Sequence, residues 1–185
     1  MEDNGARSYR RYLEGDEAGL VDIIREYRTG LTLYLYGFVG DFRTAEELTE
    51  DTFVKLGIRK PRDKGTSSFK TWLYTVGRHV ALDYLRRNRH TTVPLEDAPP
   101  LPGGTDPEAV YLQKERDRLL HRALDGLCPS YRQVLWLRYF ENLSHREIAA
   151  ILHKRVHTVE VLVSRAKTAL KDQLHKEGFD YEEFR

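Results

Sequence analysis

The chain has 185 residues, enough for one domain or two small ones, with 32% charged residues and a formal net charge of only +1. That balance excludes a broadly polycationic nucleic-acid coat, and the single cysteine, Cys128, excludes an internal disulfide or a thiolate metal cluster. The amino-terminal MEDNGARSYRRY lacks the apolar core of a signal peptide, and the charge-free run Thr29 to Gly40 is too short to cross a bilayer as a helix, so a reduced, cytoplasmic setting is expected.

In chain order, Asp16 is placed to cap a helix through Tyr27 with Leu20, Ile23, Ile24 and Tyr27 on one side. Next, Leu31, Leu33 and Leu35 alternate with Thr32, Tyr34 and Tyr36; this is the period of a strand, and periodicity alone does not settle the element. Thr44 is expected to cap a helix from Ala45 to about Leu56 that carries the acid group Glu46, Glu47, Glu50 and Asp51. A further helix from about Ser68 to Arg89 spaces Phe69, Trp72, Leu73, Val76, Val80 and Leu85 by three and four. Arg78, His79, Arg86 and Arg87 fall outside that stripe. The helical spacing of Phe69 and Trp72 favours core packing over base stacking.

Between His90 and Pro107, HTTVPLEDAPPLPGGTDP holds five of the seven prolines and two adjacent glycines, and is expected to be an extended linker. Beyond it, Tyr131 to Phe140 predicts a helix with Val134, Leu135, Leu137 and Tyr139 packing behind the last two helices of the chain, and Cys128 is a small apolar residue at its start. The first of those two is short: Ser144 and Glu147 form its capping box, and it buries Ile148, Ile151 and Leu152. After a break at His153 and Lys154, the last helix runs to about Lys171 and buries Val156, Val159, Val163, Ala166 and Leu170. Lys154, Arg155, His157, Thr158, Arg165 and Lys167 lie around its start and open face. The pair has the spacing of a helix-turn-helix, a device for placing one helix in a major groove. The charged carboxyl tail (Asp180, Glu182, Glu183) adds a separate acidic patch.

Three stretches, in this order and across a proline-rich linker, carry a family resemblance: AEELTEDTFVKL (Ala45 to Leu56), SFKTWLYTVGRHVALDYLRR (Ser68 to Arg87), and LCPSYRQVLWLRYFENLSHREIAAIL followed by TVEVLVSRAKTAL. Together they resemble the extracytoplasmic-function sigma factors of the sigma-70 family. The fold this implies is all-α, with a region 2 bundle at residues 8–89, a Pro/Gly-rich linker at 90–107, a region 4 helix-turn-helix domain at 108–176 and a tail at 177–185.

The resemblance implies a transcription initiation factor that binds core RNA polymerase, at the clamp helices of its largest subunit and at its flap region, and directs it to promoter DNA. It implies no small-molecule substrate and adds an anti-sigma protein as an expected partner. Docking falls to Glu47, Glu50, Asp51 and Phe53, since carboxylates beside an exposed aromatic suit a basic helical partner; the plainer alternative is a solvated acidic face with Phe53 and Leu56 in the core. The −10 element, where the duplex opens, falls to a base-capturing loop (Arg62, Asp63, Lys64, Gly65, Thr66 and Ser67) with His79 behind it. Arg78, Arg86, Arg87 and Arg89 would meet phosphates. The family commonly has asparagine at the position of His79, which leaves the captured base open.

The −35 element falls to Lys154, Arg155, His157, Thr158, Glu160, Val161, Arg165 and Lys167. Here Arg155 stands where relatives carry a capping serine, and Glu160-Val161-Leu162 stands in place of a Lys-Ser-Arg run. Glutamate can accept from cytosine N4 and valine can touch a thymine methyl, so an unusual preferred sequence is expected. His153 occupies a turn position where glycine is frequent. His153 and His157 share i, i+4 spacing, as do Glu47 and Asp51, but the histidines straddle the predicted break without a third ligand, so neither a metal nor another cofactor is expected. No phosphate-cradling glycine loop or nucleophile elbow is present, which argues against an enzyme. The competing reading is a stand-alone helix-turn-helix regulator with an amino-terminal interaction domain, and a third is an adaptor that binds only proteins.

Overall fold

Helical periodicity governs the fold from its first element. The computed structural model describes residues 4–60, 67–88, 120 and 122–176, and among these the fold is all-α. Helices α1 (Asn4–Leu13), α2 (Ala18–Val39), α3 (Phe42–Arg59) and α4 (Phe69–Arg87) form an amino-terminal group. Helices α5 (Pro129–Leu135), α6 (His145–Leu152) and α7 (Val156–Lys176) form a carboxyl-terminal one.

The alternating segment Leu31 to Tyr36 is helical, inside α2. Ile23, Tyr27, Leu31, Tyr34 and Leu35 are all buried at three- and four-residue steps, and this longer stripe outweighs the local alternation. The Asp16 carboxylate accepts from the Ala18 backbone N–H at 3.0 Å near the start of α2, and Gly40 ends the helix in the left-handed conformation with φ of 70°. The cap of α3 is Asp41 and not Thr44. Its carboxylate accepts from the Thr44 N–H at 2.7 Å and from the Thr44 hydroxyl at 2.6 Å, bonds that hold it below the usual carboxylate range. Aspartate takes the cap because the helix begins three residues earlier than the apolar stripe suggests. Ser68 caps α4 by accepting from the Thr71 N–H at 3.2 Å. Phe69 and Trp72 pack against Tyr9 of α1, with ring centroids 5.5 and 5.2 Å apart, so both serve the core.

Helix α5 continues into one π turn, Trp136–Phe140. Its wider coil brings Phe140 back over Trp136, rings parallel at 4.3 Å, and turns Tyr139 outward to 49% exposure. The expected packing of Tyr139 is thereby corrected. The capping box of α6 is formed in full: Ser144 Oγ accepts from the Glu147 N–H, and Glu147 Oε2 accepts from the Ser144 N–H at 2.9 Å. On α7, Val159, Val163 and Ala166 are buried, but Val156 precedes the packed first turn and is exposed. Cys128 stands at the start of α5 as expected, with an exposed side chain.

The buried apolar residues of both groups connect into one cluster. Helix α2 packs on α5, and α4 packs on α6. The linker expected at 90–107 lies outside the described residues.

Candidate functional site

Helix α7 presents the clearest surface. With Val159, Val163 and Ala166 turned inward, the residues His157, Thr158, Glu160, Val161, Arg165 and Lys167 are all exposed, and Lys154 and Arg155 are exposed just ahead of the helix. Glu160 is held by two imidazoles, His157 Nδ1 at 3.5 Å and His145 Nδ1 at 4.0 Å, the second from the preceding helix. His153 adopts the left-handed conformation that closes the turn, φ 52°, and the Lys154 N–H then reaches the Ala149 carbonyl at 3.0 Å. A residue with a Cβ pays about 1–2 kcal/mol there.

On α4, His79, Arg86 and Arg87 are exposed, and Arg86 pairs with Asp83 at 3.0 Å. Arg78 departs from its expected place outside the apolar stripe: its Nε is buried, beside the buried Tyr34 ring system. The stripe is wide enough on α4 to fold the stem of Arg78 inward. Ser67 is half-buried just before the Ser68 cap. Arg62, Asp63, Lys64, Gly65, Thr66 and Arg89 lie outside the described residues.

On α3, Glu47, Glu50 and Asp51 are exposed. Glu47 pairs with Arg43 at 3.4 Å and Glu50 with Arg28 at 3.6 Å. Phe53 is 6% exposed and belongs to the core, which corrects its assignment as an exposed aromatic anchor. The stripe Ala45, Leu48, Thr49, Thr52 and Leu56 faces inward, and Phe53 sits at its edge, close enough to be drawn in. The apolar groups that do face outward are Val54, 52% exposed, and Ile58, 79% exposed. They continue the Glu47, Glu50, Asp51 face at helical spacing. The signal was present as an acidic face that turns apolar at its carboxyl end, hidden by the more conspicuous phenylalanine.

Two of these surfaces meet. His79 Nε2 and His153 Nε2 are 3.3 Å apart with the rings stacked, one ring donating to the other. Partial burial first, then the facing His153 and Arg78, hold the His79 pKa below its ordinary 6.5. His153 thus faces α4 and His157 faces Glu160, so the pair considered as metal ligands points in two directions. Among the described residues no group of three or more His, Cys, Asp or Glu side chains is arranged to hold a metal ion, and no helix is long and apolar enough to cross a membrane.

Comparison with known proteins adds family evidence to this geometry. The family described as sigma-70 region 2 matches residues 23–91, and sigma-70, region 4 matches residues 117–170. The chain is 30% identical over 158 residues to the RNA polymerase sigma factor YlaC of Bacillus subtilis, covering 84% of this chain and 91% of that one. It is also 30% identical over 169 residues to the ECF RNA polymerase sigma factor SigE of Mycolicibacterium smegmatis, covering 88% and 65%. In fold it is similar to the sigma factor RpoE of Bartonella quintana, solved in complex with the anti-sigma factor NepR, with a TM-score of 0.67 at 20% identity over 82% of this chain and 94% of that one.

Proposed function

Since the chain belongs to the extracytoplasmic-function group of the sigma-70 family and is a transcription initiation factor, we propose that it joins core RNA polymerase through the outer face of α3 and grips a promoter at two points. The chain divides, on this reading, into a region 2 unit at 8–89, a linker at 90–107, a region 4 unit at 108–176 and a tail at 177–185. It acts in the cytoplasm, performs no phosphoryl transfer of its own, and is held off by an anti-sigma protein until needed.

On α3 the carboxylates of Glu47, Glu50 and Asp51 steer a basic helical partner by long-range attraction, while Val54 and Ile58 lose water on contact and supply the affinity. The outer face of α7 enters the major groove at the −35 element. There Glu160 accepts from cytosine N4 and Val161 meets a thymine methyl, while Arg165 and Lys167 hold phosphates. At the −10 element, Arg86 and Arg87 track the backbone, and His79 with the loop Arg62 to Ser67 receives an unstacked base. Its edge offers hydrogen bonds and its face offers stacking once the strands part.

The observation that carries this reading is the division of α7, where a buried stripe (Val159, Val163, Ala166 and Leu174) leaves an exposed outer face with His157, Thr158, Glu160, Val161, Arg165 and Lys167 behind a closed turn. The test is reconstitution with matched core polymerase. A complex that initiates from promoters selected out of a random library is the expected result. Binding to duplex DNA without any complex with core would instead identify a stand-alone regulator.

A further inference from the structure

The carboxylate of Glu160 is approached at both of its oxygens. Oε2 lies 3.5 Å from Nδ1 of His157, one turn earlier on α7, and Oε1 lies 4.0 Å from Nδ1 of His145, on the helix before. The two imidazoles differ in their surroundings. His157 is 87% exposed on the outer face itself, whereas His145 is 34% exposed and belongs to the first turn of α6. The capping box fixes the backbone of that turn: Ser144 Oγ accepts from the Glu147 N–H, and Glu147 Oε2 accepts from the Ser144 N–H at 2.9 Å. Ile148 and Ile151 of α6 are buried in the same cluster as Val159 and Val163 of α7, and this packing sets the spacing between His145 and Glu160.

What such a clamp does follows from what a carboxylate can do at a base edge, a step that rests on the promoter reading proposed for this chain. Ionised, it only accepts. It is attracted by the amines of cytosine and adenine, and repelled by the acceptors of guanine and by thymine O4. Its discrimination therefore rests in part on a penalty against wrong bases, and a penalty acts only on a group that cannot swing away. A glutamate side chain is long and, at 49% exposure, escapes by rotating towards water unless something holds it. Repulsion from the surrounding phosphates drives it the same way. Each carboxylate oxygen carries two lone pairs, so bridging two imidazoles leaves acceptor capacity for an amine.

We propose that His145 is a specificity-determining positioning residue: from α6 it holds the Glu160 carboxylate in place against the base and so sharpens the −35 preference from outside the recognition helix. His157 holds the other oxygen, but it lies on the face that meets DNA, where bases and phosphates compete for it. His145 is the partner that persists. An exposed pair of this kind adds little to folding stability, which separates the role from a merely structural one.

The test uses full-length variants with matched core polymerase and a library randomised across the −35 element. Glu160→Ala first identifies the base pair whose preference depends on the carboxylate. His145→Ala is expected to lower the preference at that same base pair by about fivefold, with other positions and the unfolding midpoint nearly unchanged. His145→Asn, which keeps a donor near the Nδ1 position, is expected to restore most of it. The double variant should be no less selective than Glu160→Ala alone. Equal weakening on every sequence would overturn the proposal, because His145 would then be contacting phosphate or supporting the fold. A shift confined to a base pair indifferent to Glu160→Ala would overturn it as well, as would the absence of any base pair that depends on Glu160. A wild-type holoenzyme that selects no −35 sequence would overturn the promoter reading and the proposal with it, a separate failure visible before any variant is made.

Discussion

At the scale of single residues, two of the charged groups on the open face of α7 should behave differently. Arg165 is exposed beyond the first turns and is suited to a phosphate; Arg165→Ala should weaken −35 binding by a similar factor on every sequence and lower the salt dependence by about one counterion. Glu160 lies between His145 and His157 on the exposed face proposed to read bases, so Glu160→Ala should change which sequences are preferred, as read by selection from a random library. Equal loss on all sequences would remove Glu160 from base readout. His79 supplies a pH dependence. Its pKa lies below the ordinary 6.5 in the folded chain, chiefly through partial burial and then through His153, with Arg78 and Lys55 adding repulsion and Asp83 opposing it. The folded chain therefore binds fewer protons at His79 than the unfolded one. The contribution of His79 to stability is fully present above about pH 6.5 and is lost as pH falls from there through the lowered folded-state value. Denaturant titrations between about pH 7.5 and 5.5 should show a loss of stability on acidification, and His79→Gln should make that loss smaller.

Helices α3 and α6 separate what sequence patterns reveal from what they conceal. The capping box of α6 was legible because Ser144, Glu147 and the apolar residues behind them all lie within one local window, and the structure forms both of its reciprocal bonds. Ser144→Ala should lower stability by about 1 kcal/mol in a denaturant titration. On α3 the acidic face was equally legible, but the anchor was not. Phe53 is the larger apolar group, and only tertiary packing reveals that it is buried while Val54 and Ile58 face outward. The consequence is a clean contrast. Phe53→Ala should cost about 3–5 kcal/mol of stability, whereas Ile58→Glu with Val54→Asp should leave the unfolding midpoint nearly unchanged and weaken the complex with core polymerase. For α2 the local alternation of Leu31, Leu33 and Leu35 pointed to a strand. The helix wins because its stripe begins earlier, at Ile23, and buries residues over four turns.

At the scale of the whole molecule, the contacts that join the two helical groups had no sequence signature. Lys70 and Glu141 lie 71 residues apart and His79 and His153 lie 74 apart, so no periodicity links them. Gly30 reads as an unremarked helical glycine until the carboxylate beside it is seen. The order of parts, by contrast, was carried by the sequence: an acidic helix, a basic helix, a proline-rich stretch and a helix-turn-helix, which is why the family was readable before the arrangement was. On the function proposed for it, the chain lets core polymerase initiate at specific promoters, and run-off transcription with matched core polymerase and a library-selected promoter is the deciding measurement. Transcripts that start downstream of a −35/−10 pair only when the chain is present are the predicted result, and failure of the purified chain to form a complex with core polymerase would contradict it.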